Sequence, residues 1–247
     1  MQAITGYHRP SGLDEALALL NRDYVTSVVV GGGTVIGAGS LETEAEAVDI
    51  QACVEASIEA SPTRIRYGAM VRLQDLINHP ATPPLLAETA RREGPNTLRN
   101  AATIGGTVAS AHWESELVAA LLVHDACVKI ALPDHVVEVS LEELLGDSSL
   151  AERGIITSIS ADPSGETASA RSGRTPADTS IVAALGRVVA SGVRLGLTGV
   201  AAHPVVIDPA DVESLEPPGD FRGTPEYRKE LAGTLTTRIV DLLGGTA

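Results

Sequence analysis

Two segments of this sequence combine glycine with short polar residues in a way that suits a negatively charged ligand. The first is Gly31-Gly32-Gly33-Thr34-Val35-Ile36-Gly37. Consecutive glycines reach positive φ without a steric penalty and put no side chain between backbone and ligand. Their amides can converge on a diphosphate without any formal positive charge. The second is Leu98-Arg99-Asn100-Ala101-Ala102-Thr103-Ile104-Gly105-Gly106-Thr107. Here Thr103 and Thr107 can each donate a hydroxyl to a phosphate or a ribose. The two lie about 70 residues apart, each after core-like sequence. Such a pair fits one extended ligand gripped from two sides; a mononucleotide would not need the second segment.

Three readings of the first segment stand side by side. Besides a flavin dinucleotide, Gly31, Gly33 and Gly37 satisfy a loosened nicotinamide-dinucleotide fingerprint, with Asp49 18 residues beyond Gly31 as the ribose-binding acid. Against that, the stretch between them is short and acidic, and Asp49 falls inside the next strand. The third reading is a purely structural turn. Farther along, Glu114 and Glu116 lie near a helix start, where carboxylates accept from ligand hydroxyls or cap amides. His112 could move a proton or simply be solvated, and Trp113 could pack on a ligand ring or cover a partner interface. His124 and Asp125 close a helix and suit its dipole. Glu142 and Glu143 read as a solvated face. Arg222, Tyr227 and Arg228 either fasten the last helix or meet a partner. No serine–histidine–aspartate arrangement can be argued.

The elements that must position these residues follow from pattern. Ser11, Asp14 and Glu15 open a helix with an apolar stripe of Leu13, Ala16, Leu17 and Leu20. Val28-Val29-Val30 reads as a buried strand leading into the glycines, and Val48-Asp49-Ile50 as the next strand, with a short helix in the polar stretch between. A second unit begins near Ile58, with a strand over 64–69, a short helix over 73–77 and a helix opened by Pro83-Pro84. The run 97–110 reads as a small-residue loop, 114–125 as a largely buried helix, and strands follow at 127–131, 136–139 and 155–159. Residues 162–177, rich in Pro, Ser, Gly and Thr, read as a linker or mobile loop. Two strands over 181–190 and 193–198 turn at Ser191-Gly192. The last helix is capped by Thr224, carries Pro225 first and ends at Gly244.

Composition narrows the function classes. The 247 residues allow one large or two small domains. A net charge of −14 argues against nucleic acid and against an anionic membrane surface. Cys53 and Cys127 are the two cysteines, 74 positions apart, so the chain cannot supply the roughly four thiolates of its own zinc or iron–sulfur centre. No uninterrupted apolar stretch of about 18 residues predicts a membrane span, and the start has no signal-like pattern, which makes the cytoplasm the expected location.

Read in order, these motifs resemble one family, the FAD-binding subunits and domains of molybdenum hydroxylases, of the carbon monoxide dehydrogenase and xanthine dehydrogenase type. Tyr7-His8-Arg9-Pro10 with Leu13-Asp14-Glu15-Ala16-Leu17 is similar to its opening, Gly32-Gly33-Thr34 to its first flavin loop, and Tyr67-Gly68-Ala69 to its entry into a second subdomain. Leu98-Arg99-Asn100, Thr103-Ile104-Gly105-Gly106 and Ala119-Ala120-Leu121-Leu122 follow, then Asp220-Phe221-Arg222-Gly223 and Glu226-Tyr227-Arg228. The resemblance implies an α+β fold of two α/β FAD-binding subdomains, 1–57 and 58–161, like that of vanillyl-alcohol oxidase. After the 162–177 linker comes a small C-terminal α+β domain, 178–247, with an antiparallel sheet and helices. It implies FAD held by Gly31 to Gly37, by Thr103, Ile104, Gly105, Gly106 and Thr107, and by Glu116, with Ile155 and Ile156 where the family has an aliphatic contact. It further implies an iron–sulfur small subunit, a molybdopterin large subunit, and NAD, oxygen or a quinone as acceptor. The benzoyl-CoA-reductase branch, with its extra cysteine-held cluster, does not fit two cysteines. Departures from the family pattern are Thr107 for asparagine, Glu116 for aspartate, Val35 for a polar residue, Trp113 for a small one or proline, and a shortened C-terminal part. They motivate one alternative, a flavin-free scaffold that kept the fold; a nicotinamide-dependent dehydrogenase using the first segment alone is the other.

Overall fold

The computed structural model describes residues 4–36, 44–173, 175 and 178–244. The chain opens with β1 (Ile4–His8), α1 (Leu13–Leu20), β2 (Ser27–Val30) and β3 (Ala45–Asp49). These three strands form a parallel sheet in the order β1-β3-β2. Strands that run parallel in one sheet require crossovers, and α1 supplies the one from β1 to β2 on the far side of β3, burying Ala16 and Leu17. The stretch read as a short helix before Val48 lies partly outside the described residues, and from Ala45 onward it is already strand.

Next come β4 (Ile58–Ala60), β5 (Ile65–Gly68), α2 (Leu73–Asn78), α3 (Pro84–Arg92), α4 (Asn96–Arg99), α5 (Ile104–Ser110) and α6 (Glu116–Val123). They are followed by β6 (Cys127–Ala131), β7 (Val136–Ser140), α7 (Leu141–Gly146), α8 (Ser149–Arg153) and β8 (Ile155–Ala161). The strands make an antiparallel sheet in the order β4-β5-β8-β6-β7. Every residue of α6 is buried, which explains why its sequence is apolar on all sides. One apolar cluster runs from Ala16 through Ala161 and takes in Ala183 and Leu185 farther along the chain, so the first two sheets share a core.

The remainder is β9 (Thr167–Ser172), β10 (Val182–Val189), β11 (Gly192–Thr198), β12 (Val205–Ile207) and α9 (Pro225–Leu242), with a 3₁₀ turn at Pro209–Ser214. The sheet order is β12-β11-β10-β9, and Ile239, Leu235 and Ala232 of α9 pack with Val182, Ala184, Leu195 and Leu197 in a second apolar cluster. Two expectations need correction. Thr167–Ser172, inside the stretch read as linker, is an edge strand paired along its length with β10. Val189 pairs with Gly192, so the hairpin turns at Ala190-Ser191, one residue earlier than expected.

Where α6 meets β10, Arg187 is buried and pairs with Asp125 and, at 2.9 Å, with Asp162. Burial opposes ionisation of Asp162, but the Ser164 amide and hydroxyl and the Arg187 guanidinium hold its carboxyl down to about 2. His124 at the end of α6 is wholly buried and donates from Nδ1 to the Asp162 carbonyl at 2.7 Å. Burial, aided by the neighbouring Arg187 cation, pushes its pKa below the ordinary 6.5. The helix-end position that would suit a cation therefore holds a neutral ring. A group whose folded pKa is depressed in this way binds its proton more readily when unfolded, so the fold loses stability as pH drops below about 6.5. His124→Gln is expected to remove that acid-side loss at an overall cost of about 1–3 kcal/mol; denaturant titrations at pH 7.5 and 5.5 measure both effects.

Candidate functional site

The strand β2 delivers Val30 into the first glycine segment at the end of the parallel sheet. Gly32 packs directly on the second segment: a Cβ there would overlap the Ala101 carbonyl oxygen, with the Ala102 Cα 3.1 Å away. Gly33 turns the chain with φ +70°, a left-handed conformation that glycine adopts without strain. The amides of Gly32, Gly33 and Thr34 have no acceptor among the described residues. Gly37 lies outside the described residues.

The second segment is a helix start where the sequence suggested a loop. Thr103 is the N-cap of α5, its Oγ1 accepting from the Gly106 amide at 3.1 Å. Ile104 and Val108, one turn apart, are buried and anchor the helix. The remaining amides of the first turn are already used: Ile104 donates to Val71 (2.9 Å), Gly105 to Ala69 (3.0 Å) and Thr107 to Thr103 (2.9 Å). The Thr107 hydroxyl also donates to the Thr103 carbonyl at 3.1 Å. This segment therefore offers the cleft its Thr103 hydroxyl and a bare Gly106 surface rather than a fan of free amides.

Gly33 and Gly106 line one cleft, together with Val28 to Ile36, Thr103, Ala109 and Ser110. A narrower cavity continues from it past Gly31, Thr103 and Gly105 to Met70, Gly154, Ile155 and Ile156. Neither is lined by a charged side chain among the described residues. A diphosphate fits such a cleft through three unengaged amides, and an apolar ring fits the narrow end. Met70, Ala109 and Gly154 belong to the lining and were not foreseen. They are isolated residues without a motif, brought in by packing alone.

Other candidates lie elsewhere. Both oxygens of Glu116 are taken, one by Arg92 at 2.7 Å and one by Arg171 at 2.8 Å. It lines a separate polar cavity with Arg92, Glu93, His112, Glu114, Ser115 and Thr179. In that cavity, burial pushes the Glu93 carboxyl up although it accepts from the Ser115 hydroxyl (2.8 Å) and the Leu117 amide (3.0 Å). Asp49 is buried, bonded by the Tyr7 hydroxyl and by the Gln51 amide at 2.9 Å, with Arg9 at 3.5 Å. It is a structural residue, and the nicotinamide fingerprint loses its ribose acid. Trp113 lies against Arg228, 4.5 Å from guanidinium to ring, and lines neither glycine cavity. Arg222 and Arg228 bind Asp220 and Glu114, fastening the last helix as the first of their two readings expected. Glu143 closes a capping box with Ser140, and Glu142 pairs with Arg194 at 3.0 Å.

The uncharacterized protein YgfM of Escherichia coli K12 is 27% identical over 251 residues, spanning 96% of this chain and 95% of the relative. Carbon monoxide dehydrogenase from Hydrogenophaga pseudoflava, in a form lacking the Mo-pyranopterin moiety of its cofactor, superposes with a TM-score of 0.89 at 22% identity, covering 99% of this chain and 98% of that one. Quinoline 2-oxidoreductase from Pseudomonas putida 86 gives 0.85 at 21% identity, covering 98% of each. At such identity the two structures show a shared fold. The sequence model of the FAD binding domain in molybdopterin dehydrogenase matches residues 2–161, which hold both glycine segments and the cleft between them. The chain belongs to this family of molybdopterin dehydrogenase FAD-binding domains.

Proposed function

We propose that this chain is the electron-transfer flavoprotein of a molybdenum hydroxylase, receiving electrons from iron–sulfur clusters on a partner and passing them to an external acceptor. The observation that carries the reading is one cleft lined by both glycine segments and by no charged side chain among the described residues. The amides of Gly32, Gly33 and Thr34 hold the diphosphate, with Gly31, Val35 and Ile36 completing that wall. Thr103 supplies a hydroxyl, Gly106 a close backbone surface, and Ile156 an apolar wall for a ring. Gly105 and Ile104 shape the cleft from behind, Thr107 stiffens the first turn of α5, and Glu116 positions the 112–116 segment through its two arginines. Bound FAD supplies a store of two electrons that can be filled singly; the chain's own task is to bind it, orient it and exclude water. The units 1–57 and 58–161 serve as the two walls, and 178–247 docks on them. Substrate chemistry takes place on a molybdopterin partner. The cytoplasm is the proposed location; no described helix is long and apolar enough to cross a membrane.

Purified protein mixed with FAD and desalted is expected to retain about one flavin per chain, seen as visible absorbance. A chain that stays colourless at high flavin concentration would be the flavin-free scaffold instead. Thr103→Val removes both the cap and the hydroxyl, so it is expected to lower stability by about 1 kcal/mol and to weaken flavin retention by roughly tenfold, about 1.4 kcal/mol. Fluorescence titration with FAD checks the second figure.

A further inference from the structure

The wide glycine cleft and the narrow apolar cavity meet at a neck, where Val29, Gly31, Thr103, Gly106 and Ala109 line both. A ligand that runs from the glycine amides to the apolar end must pass this point. What stands against Gly31 sets the width. A Cβ there would meet the Thr103 hydroxyl oxygen at 3.2 Å and the Met70 sulfur at 3.4 Å. Glycine therefore leaves a space about one atom wide, bordered by a hydroxyl and a thioether.

Met70 lies between β5 and α2, where its amide donates to the Glu55 carbonyl at 3.1 Å. The backbone is thus held while the partly exposed side chain reaches the cavity wall. Leucine would fill a methionine's volume at small cost. The property particular to this position is a sulfur that peroxide can oxidise, and the resulting sulfoxide is polar. A donor for its oxygen borders the same space. Thr103 Oγ1 accepts from the Gly106 amide at 3.1 Å, and its own proton has no acceptor among the described residues.

We infer that Met70 is a modification site, a thioether whose oxidation by hydrogen peroxide closes the neck and releases the flavin. The inference rests on the flavoprotein reading above and adds a regulation to the same cleft. A sulfur lone pair attacks one peroxide oxygen, so an S–O bond forms as the O–O bond breaks. The sulfur is oxidised by two electrons, and the other oxygen departs as water with the proton of the first. The new oxygen fills the space against Gly31 and accepts the Thr103 proton. A donor is withdrawn from the ligand where the passage narrows. Methionine sulfoxide reductase, with a thiol as reductant, reverses the step.

Trypsin cuts after Arg66 and Arg72, so mass spectrometry reads Met70 in the peptide Tyr67–Arg72, apart from Met1, the other methionine. Treated with hydrogen peroxide and then with dithiothreitol to restore cysteines, this peptide is expected to gain one oxygen, more slowly when FAD is present. The oxidised protein should bind FAD roughly tenfold more weakly, and methionine sulfoxide reductase should restore the affinity. Met70→Gln, which brings an amide carbonyl to the neck, should weaken binding without peroxide. Met70→Leu should show one FAD affinity before and after peroxide, and Thr103→Val a smaller loss on oxidation than the parent protein. Thermal unfolding of each sample verifies that it is folded. Complete oxidation of Met70 with FAD affinity unchanged, or an equal loss in Met70→Leu, overturns the gate and leaves Met70 a gap filler. A Met70 that stays reduced while Met1 is oxidised overturns it as well. In those cases the untreated protein still turns yellow with FAD; one that takes up no FAD before any peroxide refutes the flavin reading, and the gate with it.

Discussion

Gly32→Ala is expected to cost this protein its flavin. The added methyl would overlap the carbonyl oxygen of Ala101 and crowd the Ala102 Cα, and both belong to the backbone of the opposite segment. No side-chain rotation relieves that conflict. Either β2 and its turn retreat from the 98–103 segment or α5 shifts with Thr103, and each opens the cleft along the line proposed for the diphosphate. Overpacking of this kind costs about 1–3 kcal/mol of stability. Flavin affinity should fall further, by roughly 100-fold or more, the equivalent of about 2.7 kcal/mol, because the movement separates the two walls that must close on one ligand. Gly33→Ala is the control. Its Cβ would meet only Val30 Cγ1 at 3.9 Å, so the penalty is the left-handed φ of +70° alone, about 1–2 kcal/mol. Gly33→Asn should recover part of it, since asparagine visits that conformation more readily. Thermal unfolding and FAD titration of the three variants separate contact from conformation. Equal flavin affinity in Gly32→Ala and the parent protein would mean that the segments do not grip one ligand.

That contrast also shows what could be read from the chain and what could not. The left-handed turn at Gly33 and the capped start of α9 are local, and short windows of sequence reveal them, whereas Gly32 is required by the backbone of Ala101, about 70 residues away. The strand β9 was hidden because Thr167–Ser172 alternates small and polar residues and buries only Ala170; its stability comes from pairing with β10 at the sheet edge. The helix α5 was hidden by Gly105-Gly106, which oppose helix formation. Gly105 is there because the Ala69 Cβ and carbonyl oxygen leave 2.6 and 2.8 Å for any side chain. A signal did exist in Thr103 followed by the Ile104/Val108 pair, a cap and a buried stripe. The case of Glu116 differs in kind. Its arginine partners stand 24 and 55 residues away in sequence, so no local pattern could show that its oxygens are already engaged.

Removing Arg228 tests how far the cleft depends on the C-terminal unit. The side chain is fully buried, donates to the Ile181 and Gly199 carbonyls, pairs with Asp220, stands 3.7 Å from Glu114 and lies under Trp113. Arg228→Ala leaves two carbonyls without this donor and two carboxylates short of a cation, which points to a loss of about 3–5 kcal/mol. Lysine should rescue little, because one ammonium cannot reproduce a planar fork that serves carbonyls and carboxylate together. Acid unfolding adds a readout that mere cavity formation would not move. The Arg228 guanidinium, with the Arg222 and Gly223 amides, holds the Asp220 carboxyl down to about 2. A depressed carboxylate stabilises the fold above its unfolded value near 3.8 and loses that contribution as pH falls toward 2. The variant's stability should therefore depend less on pH between 4 and 2 than that of the parent protein. Trp113 emission should shift to the red as its ring gains water. Flavin affinity should weaken by less than in Gly32→Ala, roughly tenfold, about 1.4 kcal/mol, because Glu114 steadies the 111–115 segment just beyond α5 without touching the glycine cleft. An unaltered flavin affinity in a folded Arg228→Ala protein would show instead that the first 161 residues hold the cofactor without help from α9.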